Sequence, residues 1–173
     1  MECFRLRRLR VYHQLIDSVK SIELYDHKTF ISIAHMVYGW MPTILECNFS
    51  SEDNYSMYIK NINSGDCSIE FLNIMKSKIN NSIVGGSKFL HFINPEKYAI
   101  WDSKVYKSLF GKKGNNNSIN NIKNYIQYNL HLRELCQKEE MDRIYSILTE
   151  KKYIIERVSK MRALENVLFY SIE

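Results

Sequence analysis

Between Asn80 and Tyr106 the chain reads NNSIVGGSKFLHFINPEKYAIWDSKVY, a stretch dense in residue types that can do chemistry. Asn80, Asn81 and Ser82, with Gly85 and Gly86 close behind, predict a tight turn between two helices. Successive amides at the start of the second helix would form a concave donor set with partial positive charge, suited to a phosphate oxygen. Ser82, Gly85, Gly86 and Ser87 are the candidate anion-binding residues. The glycines also remove side chains that would block the approach of another backbone. The same turn serves equally well as a plain connection between antiparallel helices. Lys88 follows at once. Its amine is a nucleophile only if desolvation or neighbouring positive charge strips its proton near neutral pH. Protonated, it is a phosphate clamp or an ion partner of Asp102. Asp102 opens the run DSKV, an ordinary helix N-cap contributing about 1 kcal/mol. A capping carboxylate is also ionised and fixed in place, which suits it to oppose a positive charge developing nearby.

The elements that would position these groups are helices. Leu6, Leu9, Val11, Leu15, Ile16, Val19 and Ile22 recur at three- and four-residue steps and predict a helix over 4–24. It carries Arg5, Arg7, Arg8 and Arg10, either a solvated basic face or a phosphate-facing patch. Asp26 caps a second helix over 27–38, stopped by Gly39 and Pro42. A short helix at 54–62 interrupts a polar stretch, and helical spacing resumes over 67–80 through Ile69, Leu72, Met75 and Ile79. Further helices are predicted over 87–93, 103–110, 118–136, 139–149 and 151–171, with KKGNNNSINN a loop. Arg162 and Glu165, three residues apart, form a structural pair.

Composition sets the outer bounds. In 173 residues, 45% are hydrophobic and 13% aromatic, enough for a core and against general disorder. Six Gly and two Pro are too few for a sandwich of many short strands. The net charge of +5 is compatible with a polyanionic partner. Cys3, Cys47, Cys67 and Cys136 lack the close spacing of a zinc knuckle, so no metal site and no cofactor are expected. No apolar run is long enough for a membrane span, and MECFRLRRLR has no signal-peptide core, so reduced thiols in a cytoplasmic protein are expected.

Over residues 80–106 the chain resembles the helix-hairpin-helix DNA glycosylase superfamily, in its 8-oxoguanine-glycosylase-like branch. That family has a hairpin of the type Gly-hydrophobic-Gly-x-Lys and, after a helix and loop, a Pro-Val-Asp-type segment. Gly86, Ser87 and Lys88 match the end of the hairpin, and Ile100, Trp101, Asp102 and Val105 match the second segment. Val84 replaces the first hairpin glycine, Gly85 replaces the hydrophobe, and the interval from Lys88 to Asp102 is shorter than the family commonly has.

The resemblance implies a compact all-α domain over 1–173, with the helix-hairpin-helix at about 67–93 and the Asp loop at 94–102. Lys88 would lie in the first turn of the second hairpin helix. It further implies a DNA N-glycosylase that flips a damaged or modified base out of a duplex and breaks its N-glycosidic bond. Asp102 would stabilise the oxocarbenium-like sugar and orient water or activate Lys88, and Ser82, Gly85, Gly86 and Ser87 would contact the DNA backbone. The trimmed interval favours a monofunctional, hydrolytic enzyme over one whose Lys88 forms a Schiff base. Tyr38, Trp40, His91 and Trp101, with His35, are the candidates for the base pocket, against the default of aromatic side chains in a core. Bulkier residues at Gly85 and Gly86 are expected to weaken DNA binding without unfolding the protein. A monomer is expected, serving DNA repair or, given the Asn-, Ile- and Lys-rich style of a mobile-element gene, defence against phages with modified bases. The alternatives are a non-catalytic helix-hairpin-helix DNA-binding module and a helical interaction protein such as a toxin-system partner.

Overall fold

The structure, a computed structural model, describes residues 2–39, 41, 43–151, 153–154 and 158–170, apart from the side chains of 2–10 and 170. Trp40, Pro42 and the side chains of Arg5, Arg7, Arg8 and Arg10 lie outside that set. Ten helices occur among the described residues: α1 Glu2–Lys20, α2 His27–Tyr38, α3 Tyr55–Ser64, α4 Ile69–Lys78, α5 Ile83–Ile93, α6 Ser103–Phe110, α7 Asn116–Ile119, α8 Ile122–Cys136, α9 Glu139–Glu150 and α10 Lys160–Tyr170. The protein is all-α; the one β feature among the described residues is an isolated bridge between Cys47 and Ile79. None of the described helices is long and apolar enough to cross a membrane.

Side-chain caps set most helix starts. Asp26 accepts from the Thr29 amide at 3.0 Å, while the Thr29 hydroxyl takes the Asp26 amide, a reciprocal capping box. Asn54 and Ser68 cap α3 and α4 one way only, accepting the Met57 and Phe71 amides on their side chains. The continuous helix predicted over 118–136 is broken because Asn121 turns out of the helix and caps α8, accepting from the Lys123 amide at 2.9 Å. The last helix begins at Lys160 rather than near 151, since Ser159 accepts the Arg162 amide on its hydroxyl at 3.0 Å.

α5 is the central element. It packs against α4, α1 and α2, and Ile83, Gly85, Gly86, Ser87, Phe89, Leu90, His91 and Phe92 on it are all buried. Phe89 joins Phe30, Phe49, Tyr55 and Tyr58 in an aromatic cluster between α2, α3 and α5. Burying several such rings is the main apolar contribution to this side of the fold.

The turn from α4 to α5 is made by Asn80 at φ 52° and Asn81 at φ 43°. Asparagine enters this left-handed region more readily than most side chains because its amide bonds locally. Asn80 is pinned to the incoming segment: its side chain donates to Ile44 O at 2.8 Å and accepts from the Glu46 amide at 3.1 Å. The helix therefore begins at Ile83, not Ser87, and Gly85 and Gly86 sit inside its first turn instead of in the connection. Lys88 accordingly falls one turn later than the sequence suggests.

The glycines have a packing role. A Cβ on Gly85 would collide with the Tyr38 hydroxyl and come within 2.8 Å of Ile79 Cγ2, while Gly86 faces the α4 backbone at Met75 and Lys76 at 3.5 Å. The expectation that bulkier residues at Gly85 spare the fold is corrected here, because three elements meet at that atom. Gly85→Ala should destabilise the protein by about 1–3 kcal/mol through overpacking. Tyr38→Phe, which deletes the obstructing oxygen, should recover part of that loss in the double variant. Urea midpoints of the four proteins test this, and an additive pair of substitutions would refute the contact.

Candidate functional site

Residues 94–101, between α5 and α6, form an irregular segment that is exposed at Glu96 and Lys97 and buried over 98–101, so the backbone groups of the buried part need partners within the protein. Side chains from three sides supply them. From α5, Ser87 Oγ accepts the Trp101 amide at 3.1 Å, and His91 Nδ1 lies 2.7 Å from Tyr98 O. From α8, Asn129 accepts the Ala99 amide at 2.6 Å and donates to Lys97 O at 3.1 Å, which Arg133 Nε also reaches at 2.7 Å. From the C-terminal side, the Ser159 hydroxyl donates to Pro95 O at 3.0 Å and Glu165 Oε1 accepts the Ile100 amide. Removing Ser87, Asn129 or Glu165 leaves the buried amide of Trp101, Ala99 or Ile100 unpaired, at about 1–3 kcal/mol.

This clasp delivers Asp102 to the start of α6. Its Oδ1 accepts the Lys104 and Val105 amides, each at 2.9 Å. Lys88, half-buried on α5, is close enough to Asp102 and to Arg162 of α10 for both charges to act on it. Burial lowers the basicity of the Lys88 amine, Asp102 opposes that shift, and Arg162 adds to it. Among the described residues, no hydrogen bond or ion pair closes on its ammonium group. A desolvated, unpaired lysine crowded by a cation has the environment an amine nucleophile requires.

Behind the pair lies a buried polar network. Arg162 Nη1 donates to Glu165 Oε2 at 2.8 Å, and its guanidinium lies 4.9 Å from the Tyr12 ring centre. Tyr12 Oη lies 2.8 Å from His91 Nε2, and His91 Nδ1 is 3.7 Å from Glu165 Oε1. Since Nδ1 faces the Tyr98 carbonyl, it carries the proton, and Nε2 accepts from the Tyr12 hydroxyl. Burial and the Arg162 charge push His91 down to about 3. Burial outweighs the pull of Arg162 on Glu165 and raises it to about 7. Arg162 Nε and the hydroxyl of Tyr128, which packs on Trp101, are buried without hydrogen-bond partners among the described residues.

Lys88 and Asp102 thus lie within range of each other's charge without an ion pair between them, and the structure disperses most of the other candidates. Ser87 is fully buried, its hydroxyl donating to Val84 O at 3.0 Å, so with buried Gly85 and Gly86 it offers no surface to a DNA backbone. Of the turn amides, Ile83 N–H is taken by Asn120 Oδ1 at 2.8 Å. Ser82 makes no side-chain cap, which leaves the next amides of α5 without an intrahelical acceptor. The expected base pocket is also not assembled by its candidates. His91 and Trp101 are fully buried, Trp101 Nε1 donating to Ile119 O at 2.7 Å, and Tyr38 is buried with its hydroxyl against Gly85. His35 is exposed on α2, and Trp40 lies outside the described residues. No group of three or more His, Cys, Asp or Glu among the described residues is arranged to hold a metal.

Asn129, Arg133, Ser159 and Glu165 were not singled out by sequence for this role. A polar residue on the apolar face of α8 or α10 was the available signal, as at Asn129 between Tyr125, Tyr128 and Leu132. Together, fold and site define an all-α protein with a buried polar clasp that leads into a capping aspartate, with a half-buried lysine within range of its charge. The chain matches no protein-family model, no curated protein and no solved structure.

Proposed function

We propose that the protein is a DNA glycosylase of the helix-hairpin-helix kind, which takes a modified or damaged base out of a duplex and breaks its N-glycosidic bond. The single observation carrying this reading is the Lys88–Asp102 juxtaposition, with the lysine desolvated, unpaired and near Arg162. Asp102, held by two amides, would oppose the positive charge that builds on the sugar as the base departs. The environment of Lys88 favours its attack on the anomeric carbon, with the base as leaving group. The departing base takes one amine proton; the C1′–O4′ bond then breaks as O4′ takes the other, which leaves a Schiff base to the opened sugar from which strand cleavage can follow. That reading departs from the hydrolytic enzyme favoured by the short Lys88–Asp102 interval. With Gly85, Gly86 and Ser87 buried, contact to backbone phosphate would fall to the more open Asn81, Ser82 and Val84 of the α4–α5 turn. Repair and defence against phages with modified bases are both compatible contexts, with a monomer as the acting species.

The test pairs binding with chemistry. Affinity for duplex DNA should fall steeply as salt rises, because cationic groups replace counterions on the phosphates. A panel of duplexes with oxidised, alkylated or hypermodified bases should yield an abasic site or strand break with at least one member. Salt-sensitive binding with every member left intact would favour a non-catalytic binding module. Absence of DNA binding would favour an interaction protein.

A further inference from the structure

Glu165 and Arg162 are costly residues to keep where they are. Glu165 is buried on α10 and Arg162 largely so, and a buried ion pair is often no more stabilising than apolar side chains of the same volume. Their placement offers a reason. One oxygen of the Glu165 carboxylate holds the Ile100 amide, two residues before Asp102, and the other holds Arg162 Nη1 at 2.8 Å. Arg162 lies over the Tyr12 ring, its backbone amide is fixed by Ser159, and its Nε has no hydrogen-bond partner among the described residues. The carboxylate therefore links the segment carrying Asp102 to the cation that acts on Lys88.

We propose that Glu165 is a positioning residue for the Lys88–Asp102 pair, fixing the Asp102 segment through Ile100 and fixing Arg162 as the cation that crowds Lys88. The charged and titratable groups facing these residues come from every side of the site. Lys88 faces Asp102 of the α6 cap and Arg162. Glu165 faces Arg162, His91 of α5, Asp102, and Tyr125 and Tyr128 of α8. Arg162 faces Glu165, Tyr12 of α1 and Tyr128. Above about pH 7 Glu165 is ionised and its charge offsets that of Arg162, so the lysine senses a guanidinium whose strength and position depend on Glu165. This inference rests on Lys88 and Asp102 being the working pair of the proposed glycosylase.

The test needs no DNA. Trace acetylation of the full-length protein with acetic anhydride between pH 7 and 11, read at Lys88 by peptide mass spectrometry, gives the pH at which its amine becomes reactive. Exposed Lys112 serves as the internal standard. Arg162→Gln should raise the Lys88 midpoint by about one pH unit, the size expected for removing a close like charge, and Arg162→Lys should largely preserve it. Glu165→Gln should shift the midpoint in the presence of Arg162 and lose that effect in the Arg162→Gln background. A Lys88 midpoint unmoved by Arg162→Gln, or moved equally by Glu165→Gln with and without Arg162, overturns the proposal. Should Arg162→Gln fail to fold, Glu165→Gln and Arg162→Lys decide it: a midpoint shifted by the first and kept by the second supports positioning, and no shift from the first refutes it. A wild type inert on all DNA alongside a shifted midpoint would remove the glycosylase reading and leave the linkage of the three residues standing.

Discussion

Asp102→Asn should lower abasic-site formation on a responsive duplex by about a hundred- to a thousandfold, the size found when one preorganised electrostatic group is removed from a transition state. The expectation is sharp because the substitution separates two roles of one side chain. Oδ1 of Asp102 accepts the Lys104 and Val105 amides at 2.9 Å, and the amide oxygen of an asparagine can accept both. Asparagine is as good an N-cap as aspartate, so the start of α6 and the overall stability should change little. Only the charge goes, and charge is what a cationic sugar responds to. Lys88→Gln complements it. If the amine is the nucleophile, borohydride should trap wild type on DNA and fail to trap the variant. If Lys88 only clamps phosphate, nothing is trapped and the variant loses mainly affinity. Full glycosylase activity in Asp102→Asn would sink the assignment of that residue.

Helix identity was legible in the sequence because local signals carried it. Asp26, Asp102 and the apolar stripe Phe30, Ile33, Ala34 and Val37 stand where the spacing puts them. Start points were less legible where the deciding contact is distant. Asn80 adopts its turn conformation while bonded to residues 44 and 46, and Ile83 N–H is capped by Asn120, so no window around residues 80–87 contains the reasons α5 begins where it does. Gly85 misled for a related cause. Its missing side chain accommodates Tyr38, more than forty residues earlier, and a Gly-Gly pair looks the same whether it turns a chain or admits a neighbour. Within the site, Lys88 and Asp102 could be picked out by type and spacing. Glu165 and Arg162 read as an ordinary i,i+3 pair, since their burial against a loop sixty-odd residues upstream has no local signature.

The same network predicts an unusual response of stability to acid. His91 is held neutral down to about 3 against an ordinary value of 6.5, so the unfolded chain takes up its proton first as pH falls. Stability from this group is complete above 6.5 and drains away as pH drops from 6.5 towards 3, by a factor of about ten in the folding constant per pH unit. Glu165 has the opposite sign. Its folded value near 7 lies above the ordinary 4.5, so the folded state binds the proton first and gains stability as pH falls from 7 to 4.5. Between 6.5 and 4.5 the two slopes cancel, one proton against one proton. Below 4.5 the Glu165 contribution is complete and the His91 loss runs alone. Wild type should therefore hold a nearly flat urea midpoint from pH 7 to about 4.5, then fall. Glu165→Gln removes the compensating group and should lose stability from about pH 6.5 downward, so that its gap from wild type widens by roughly a hundredfold in the folding constant by pH 4.5. Replacing His91 with Phe should do the reverse, leaving a protein weaker at pH 8, where Tyr98 O loses the His91 hydrogen bond, yet gaining stability as pH falls to 4.5. Midpoints of Glu165→Gln and wild type that run parallel across this range would show that Glu165 does not titrate in the folded core.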